Sequence, residues 1–193
     1  MIDYKKEFLD IYNSKISREG SKKLISWISS TDFFTAPAST KYHGAKEFGL
    51  VEHSVKVYKV LREKHFDDGD SEESFAICAL LHDLCKVNFY KVSYRNVKNE
   101  FGDWEKVPYY TTDDSFPYGH GEKSVFLIER FMKLNVDEAM AIRWHMGGFD
   151  DSVKGGCYAS SLAYDKYPLS IKLVLADLES TYLREKGTSS VRK

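Results

Sequence analysis

Several ionisable side chains stand where a core residue is expected, and their types are those that bind cations. In "ALLHDLCK", residues 79–86, His82 and Asp83 sit side by side within an apolar run. His53 shares a helical stripe with Leu50, Val57 and Val60, His145 follows Ala141 and Ile142, and Asp177 lies between Val174 and Leu178. A single histidine in such a place is more often a hydrogen-bonded core residue than a ligand. An inward carboxylate is harder to place: unpaired burial costs on the order of several kcal/mol, so it needs a cation, a cluster of donors or a metal. The ordered set His53, His82–Asp83, His120, His145 and Asp177, each near the middle or end of a separate element, predicts convergence on one or two divalent cations. Mixed nitrogen and oxygen donors suit Mn, Fe, Co, Ni or Zn, with Mg where oxygens dominate. Neighbours on a helix differ by about 100°, so His82 and Asp83 can both face one ion. Lys86, three residues after Asp83 and four after His82, falls over the same face and suggests an anionic oxygen ligand such as phosphate.

The elements that must position these residues are mostly helical. "DYKKEFLDIYNSK" and "REGSKKLISWISS" carry apolar residues at helical spacing, and "TDFFTAPASTKYHGAKEF" breaks the pattern as a loop. The period returns from Leu50 to about Lys64, and Asp70–Ser71 makes a capped start for a helix through "EESFAICALLHDLCK". "FYKVSYRNVK" and "WEKVPYYTTDD", joined through "NEFGD", have the Val, Tyr, Thr and Trp content of a β-hairpin. Helices resume at "EKSVFLIERFMKL" and "NVDEAMAIRWHM", the latter with a capping-box pattern at Asn135 and Glu138. "GGFDDSVKGG" reads as a glycine-rich loop, and "LSIKLVLADLESTYLRE" as a closing apolar helix. The basic end, "LREKGTSSVRK", reads as a frayed, solvated tail.

The 193 residues fit one domain, 1–193, with N-terminal helices (1–30) packed on it and an insertion at 88–118. No apolar run approaches the roughly 18 residues of a membrane span, and the N-terminus lacks a signal-peptide core; a cytoplasmic protein is the expectation. Cys78, Cys85 and Cys157 are odd in number and lack CxxC spacing, which argues against a disulfide framework or zinc ribbon; Cys78 and Cys85, seven apart on one helical face with His82 between them, could hold zinc but read better as buried free thiols. A formal net charge of −1 disfavours long nucleic acid as a partner.

With these residues in place, the chain resembles the HD-domain superfamily of metal-dependent phosphohydrolases. The resemblance rests on His53 in "GLVEHS", His82 and Asp83 in "LLHDLCK", and Asp177 in "LVLADLES", with "GHGEKS" around His120 and "IRWHM" around His145. It spans roughly Leu50 to Thr181 and implies an all-α, HD-domain helical bundle, here with an inserted β-hairpin at about residues 88–112. It implies that His53, His82, Asp83 and Asp177 hold a first metal. In two-metal members Asp83 would bridge, and His120 and His145 would hold the second. Cys85 stands where the family often has Gly, which predicts a different local helix ending. The Gly-Tyr-Pro signature and adjacent histidines of cyclic di-GMP hydrolases are missing; His145 is followed by Met146.

The function expected is hydrolysis of a phosphoester in a nucleotide or similar small phosphorylated substrate, with water activated by one or two divalent ions (Mn, Co, Ni, Fe, Zn or Mg). Asp83, Lys86 and Glu122 are the candidate catalytic set: Asp83 to orient the water, Lys86 to neutralise phosphoryl charge, and Glu122 as a partner to the ligands or a helix-end charge. Arg143 is expected at the surface or at a substrate rim. The alternatives are a nuclease or phosphodiesterase on short single strands or cyclic nucleotides, a di-iron oxygenase of the same helical fold, and a non-catalytic, metal-stabilised binding module. Residues 88–118 are rich in aromatics, among them Tyr90, Tyr94, Trp104, Tyr109 and Tyr110, which serve cross-strand packing or stack on a base. Lys91, Arg95, Lys98 and Lys106 are placed to meet phosphates.

Overall fold

The computed structural model describes residues 3–41 and 44–185, and the fold is built around one apolar helix. That helix, α4 (Glu72–Leu81), buries every residue from Ser74 to Leu81, as a helix apolar on all sides must. Ser71 caps it, its hydroxyl accepting from the Ser74 backbone N–H. Three other helices cover α4. Helix α1 (Tyr4–Lys15) presents Phe8 and Tyr12, one turn apart, and packs on α4 and on α3 (Gly49–His65). Helix α6 (Val136–Trp144) closes a further side and begins with the capping box of Asn135 and Glu138. Helix α2 (Ser21–Ser29) adds Leu24 and Ile28 to the same core.

Helix α9 (Pro168–Glu179) packs against both α3 and α6, with Pro168 in the first turn, where its missing N–H is harmless. A π-helical turn, Ser180–Arg184, continues it and brings Glu185 back into the interior. Of the stretch expected as a frayed tail, only its first residues, 183–185, are described. Arg184 pairs with Glu63 and Glu185 is buried, while the stretch from residue 186 onward lies outside the described residues.

Between α4 and α5 (His120–Glu129) stands the expected hairpin. Strand β1 (Tyr90–Lys98) pairs antiparallel with β2 (Trp104–Thr112), in register from Tyr90 opposite Thr112 to Lys98 opposite Trp104. The Asn99 side chain accepts from the Phe101 and Asp103 backbone N–H groups, and Gly102 takes a positive φ of 87° that closes the turn. Most of the ribbon is exposed, so cross-strand pairs must hold it. Lys98 lies over the Trp104 ring and Lys106 over Tyr94.

Two expectations are revised. The helix beginning at Glu72 does not run to Lys86: it ends at Leu81, Asp83 leaves helical geometry (φ −97°, ψ 18°), and Leu84–Lys86 form a 3-10 turn. The backbone N–H of Cys85 donates to Ser124 Oγ on α5, an external bond that pins this turn. The glycine-rich stretch after His145 is also more ordered than a loop. A 3-10 turn (Gly147–Phe149) leads to α7 (Asp151–Lys154), which starts on the Asp150 side chain, and α8 (Ala159–Lys166) follows.

Candidate metal centre

Five elements converge on Asp83. His53 comes from the middle of α3, His82 caps α4, His120 opens α5, His145 caps α6, and Asp177 comes from α9. His53, His82, Asp83 and His145 are buried, and His120 keeps about a third of its side chain exposed at 31%. Gly121 makes this convergence possible: a Cβ there would lie 2.2 Å from the Arg143 carbonyl oxygen. Only glycine lets α5 approach α6 closely enough to set the His120 and His145 rings 5.1 Å apart.

The two oxygens of Asp83 face different partners. Oδ2 lies 3.6 Å from Nε2 of both His53 and His82. His53 Nε2 is in turn 3.2 Å from Asp177 Oδ1 and 3.3 Å from His82 Nε2. Oδ1 lies 2.9 Å from His120 Nε2 and 3.6 Å from His145 Nε2. Donors around a cation at roughly 2.0–2.2 Å are spaced by about 2.9–3.5 Å, so these separations are close to the edges of coordination polyhedra.

The histidines are oriented by their other ring nitrogens. Nδ1 of His82 donates to the Ala79 carbonyl at 2.9 Å, and Nδ1 of His145 donates to the Ile142 carbonyl at 2.7 Å. Carbonyls only accept, so each neutral ring must turn a bare Nε2 lone pair into the cluster. Among the described residues, His145 Nε2 is buried with no hydrogen-bond partner. A buried acceptor left this way is destabilising unless a cation or proton meets it. The donor set therefore fits a divalent ion. His53 Nδ1 bonds Glu185 Oε1 at 2.9 Å, which directs its Nε2 inward in the same sense.

Charges in the cluster are strongly coupled. Burial alone would raise the Asp83 pKa, but Lys86, His82 and a hydrogen bond from His120 hold it well below the carboxylate range. Burial also opposes charge on Asp177, and His53 outweighs it, again holding the carboxyl low. His82 is pushed down to about 3, chiefly by burial, and stays neutral. Burial likewise disfavours charge on His53, yet Asp177 and Glu185 bring it up to about 10. His120 reaches about 10 against burial, through Cys85 and Asp83. Lys86 Nζ donates to Asp83 Oδ2 at 2.6 Å; burial disfavours its charge, but Asp83 keeps it protonated.

The family model of the HD domain matches residues 50–178. The chain belongs to the HD-domain superfamily. Comparison with curated proteins and with solved structures gave no match. The helical fold with its small two-stranded sheet accords with an HD domain, and the superfamily is one of metal-dependent hydrolases. Among the described residues of this HD domain, three overlapping groups are spaced to hold metal ions: His53, His82 and Asp177; His82, Asp83 and His145; and Asp83, Cys85 and His120.

All six residues singled out as ligands thus lie in one cluster, with Lys86 beside it. Glu122 ion-pairs with Arg143 and belongs to none of the three groups. Arg143 also bonds Asp150 at 2.8 Å and lies over the Trp144 ring, so it ties α6 to α5 and α7. One residue at the cluster, Glu185, carries no sequence signal, and another, Cys85, reads as a buried thiol rather than as a donor. Its Sγ lies 3.4 Å from His120 Nδ1 and 3.6 Å from Nε2.

Proposed function

We propose that this HD domain hydrolyses a phosphoester bond in a nucleotide or a similar small phosphorylated substrate. One observation carries the proposal: a single carboxylate, Asp83, sends one oxygen to each of two histidine sets and holds a lysine ammonium at the same place. His53, His82, Asp83 and Asp177 would hold one ion, with Asp83, His120 and His145 available for a second. A divalent ion in such a set lowers the pKa of a water towards about 7 and polarises a phosphoryl oxygen.

The chain's own groups supply the rest. Lys86, 12% exposed and fixed on Asp83, offers a permanent positive charge beside the cluster for phosphoryl oxygens that become more negative in the transition state. Glu185 and the Ala79 and Ile142 carbonyls hold three imidazoles in one tautomer, so that none must reorient during turnover. Glu122, committed to Arg143, would act only by holding α5 in place.

A nucleotide is favoured among phosphoesters because the hairpin starts four residues after Lys86. It offers exposed Tyr94 and Trp104 together with Lys98 and Lys106 on one face. Tyr90, at its foot, is fixed by a bond from its hydroxyl to the Ala38 carbonyl.

The test is a screen of purified protein against nucleotides and generic phosphoesters with Mn, Co, Ni, Mg and Zn added in turn, repeated with Asp83→Ala. We expect a metal-dependent phosphatase or phosphodiesterase activity that the variant loses along with its bound metal. Full activity in Asp83→Ala would overturn the proposal.

A further inference from the structure

Among the described residues, the sulfur of Cys85 is a donor at the cluster that the ligand set above leaves unused. It belongs to a buried free thiol, 4% exposed, on the 3-10 turn that Ser124 pins through the Cys85 backbone N–H. Its Sγ lies within 4.8 Å of the ligand atoms of both Asp83 and His120. Its 3.6 Å separation from His120 Nε2 has a direct meaning. A tetrahedral cation about 2.3 Å from sulfur and about 2.0 Å from nitrogen holds those two donors about 3.5 Å apart. The buried Nε2 of His145, without a hydrogen-bond partner among the described residues, lies 3.6 Å from the same Asp83 oxygen. Asp83, Cys85 and His120 thus form one close donor group, bordered by His145 across the Asp83 oxygen, and one of its donors is sulfur.

We propose that Cys85 is a ligand of the second cation, completing a set with Asp83 Oδ1, His120 Nε2 and His145 Nε2. When the ion binds, the thiol proton leaves to solvent and the sulfur lone pair forms the new bond, with no change in oxidation state. A thiolate beside two imidazoles and one carboxylate suits Zn, Fe or Co and disfavours Mg, whose preference is for oxygen. The first position, with two nitrogens and two oxygens, has no such bias. The chain is therefore built to hold two chemically unequal ions. The inference rests on the cluster binding metal, and does not depend on which bond the protein hydrolyses.

The experiment is a cobalt(II) titration of the full chain under reducing conditions, followed by absorption. We expect a sulfur-to-cobalt charge-transfer band in the near ultraviolet that grows with the second equivalent. It should be lost in Cys85→Ser and kept in Cys78→Ser and Cys157→Ser. Zn affinity of the second position should fall at least about tenfold in Cys85→Ser, with Mg affinity unchanged. Saturating cobalt without a sulfur band in the unmodified protein, where folding of a variant is not in question, overturns the proposal. So does a band that survives in Cys85→Ser. Failure to bind cobalt at all would instead overturn the metal-dependent function itself, whereas binding without the band leaves that function standing.

Discussion

At the scale of single residues, Glu185 is the least conspicuous member of the centre. Its carboxylate holds His53 Nδ1, so under the proposed metal scheme its role is to orient that ring. Such partners commonly contribute 10–100-fold in metal affinity, and Glu185→Gln should weaken metal binding by about that factor while the fold is retained. Isothermal titration of the two proteins would show it, and equal affinities would exclude the role. Protons also report on this residue pair. The His53 pKa stands at about 10 with Asp177 and Glu185 outweighing burial, and His120 at about 10 as well. Both exceed the ordinary value of about 6.5, so near pH 8 both rings are protonated, and a ring must lose a proton before it can ligate. Binding should release protons and tighten as pH rises towards about 10, then level off. Calorimetry in two buffers of different ionisation enthalpy would measure the release; identical apparent enthalpies would contradict it.

At the scale of elements, the hairpin decides how far substrate recognition extends. Stacking on an exposed ring is worth about 1–3 kcal/mol per base. Tyr94→Ala with Trp104→Ala should therefore raise KM for a nucleotide while leaving hydrolysis of a small generic phosphoester unchanged. Equal losses on both substrates would show that the ribbon only supports the fold. The same element was among the most readable in the sequence, since β-branched and aromatic residues flank a turn with Asn99 and Gly102. The ligand-bearing helices were readable for a related reason. His53 and Asp177 interrupt stripes that burial otherwise fills with apolar residues, and the interruption is the signal. Glu185 and Cys85 gave no such signal. One reaches the centre through a π-helical turn that no local pattern announces. The other matches its apolar neighbours in character, and only the approach of α5 gives it a partner. The early end of α4 was equally hidden, because the bond that pins the turn comes from Ser124, 39 residues away.

At the scale of the whole molecule, one buried ion pair links the N-terminal segment to the centre. Arg18 binds Glu138 through both guanidinium NH groups, at 2.5 and 2.9 Å, and also reaches Glu73 at 3.2 Å. Glu138 is fully buried, caps α6, and accepts from Ser74 on α4. Arg18→Ala would leave that carboxylate without its cation, a loss of about 3 kcal/mol because Arg18 itself is partly exposed. Urea unfolding would measure it, and a change below about 1 kcal/mol would show that water replaces the guanidinium. Helix α6 ends at His145, so the same variant should also bind metal less tightly. The position of the hairpin has another consequence. His53, His82 and Asp83 precede it, and His120, His145 and Asp177 follow it, so its exposed tip divides these six residues evenly between two stretches of chain. A protein expressed as two pieces split at Gly102 would carry half of the centre in each. Such pieces would still share the α3–α9 and α4–α6 packing, so a divalent ion should tighten their reassembly rather than be its sole cause.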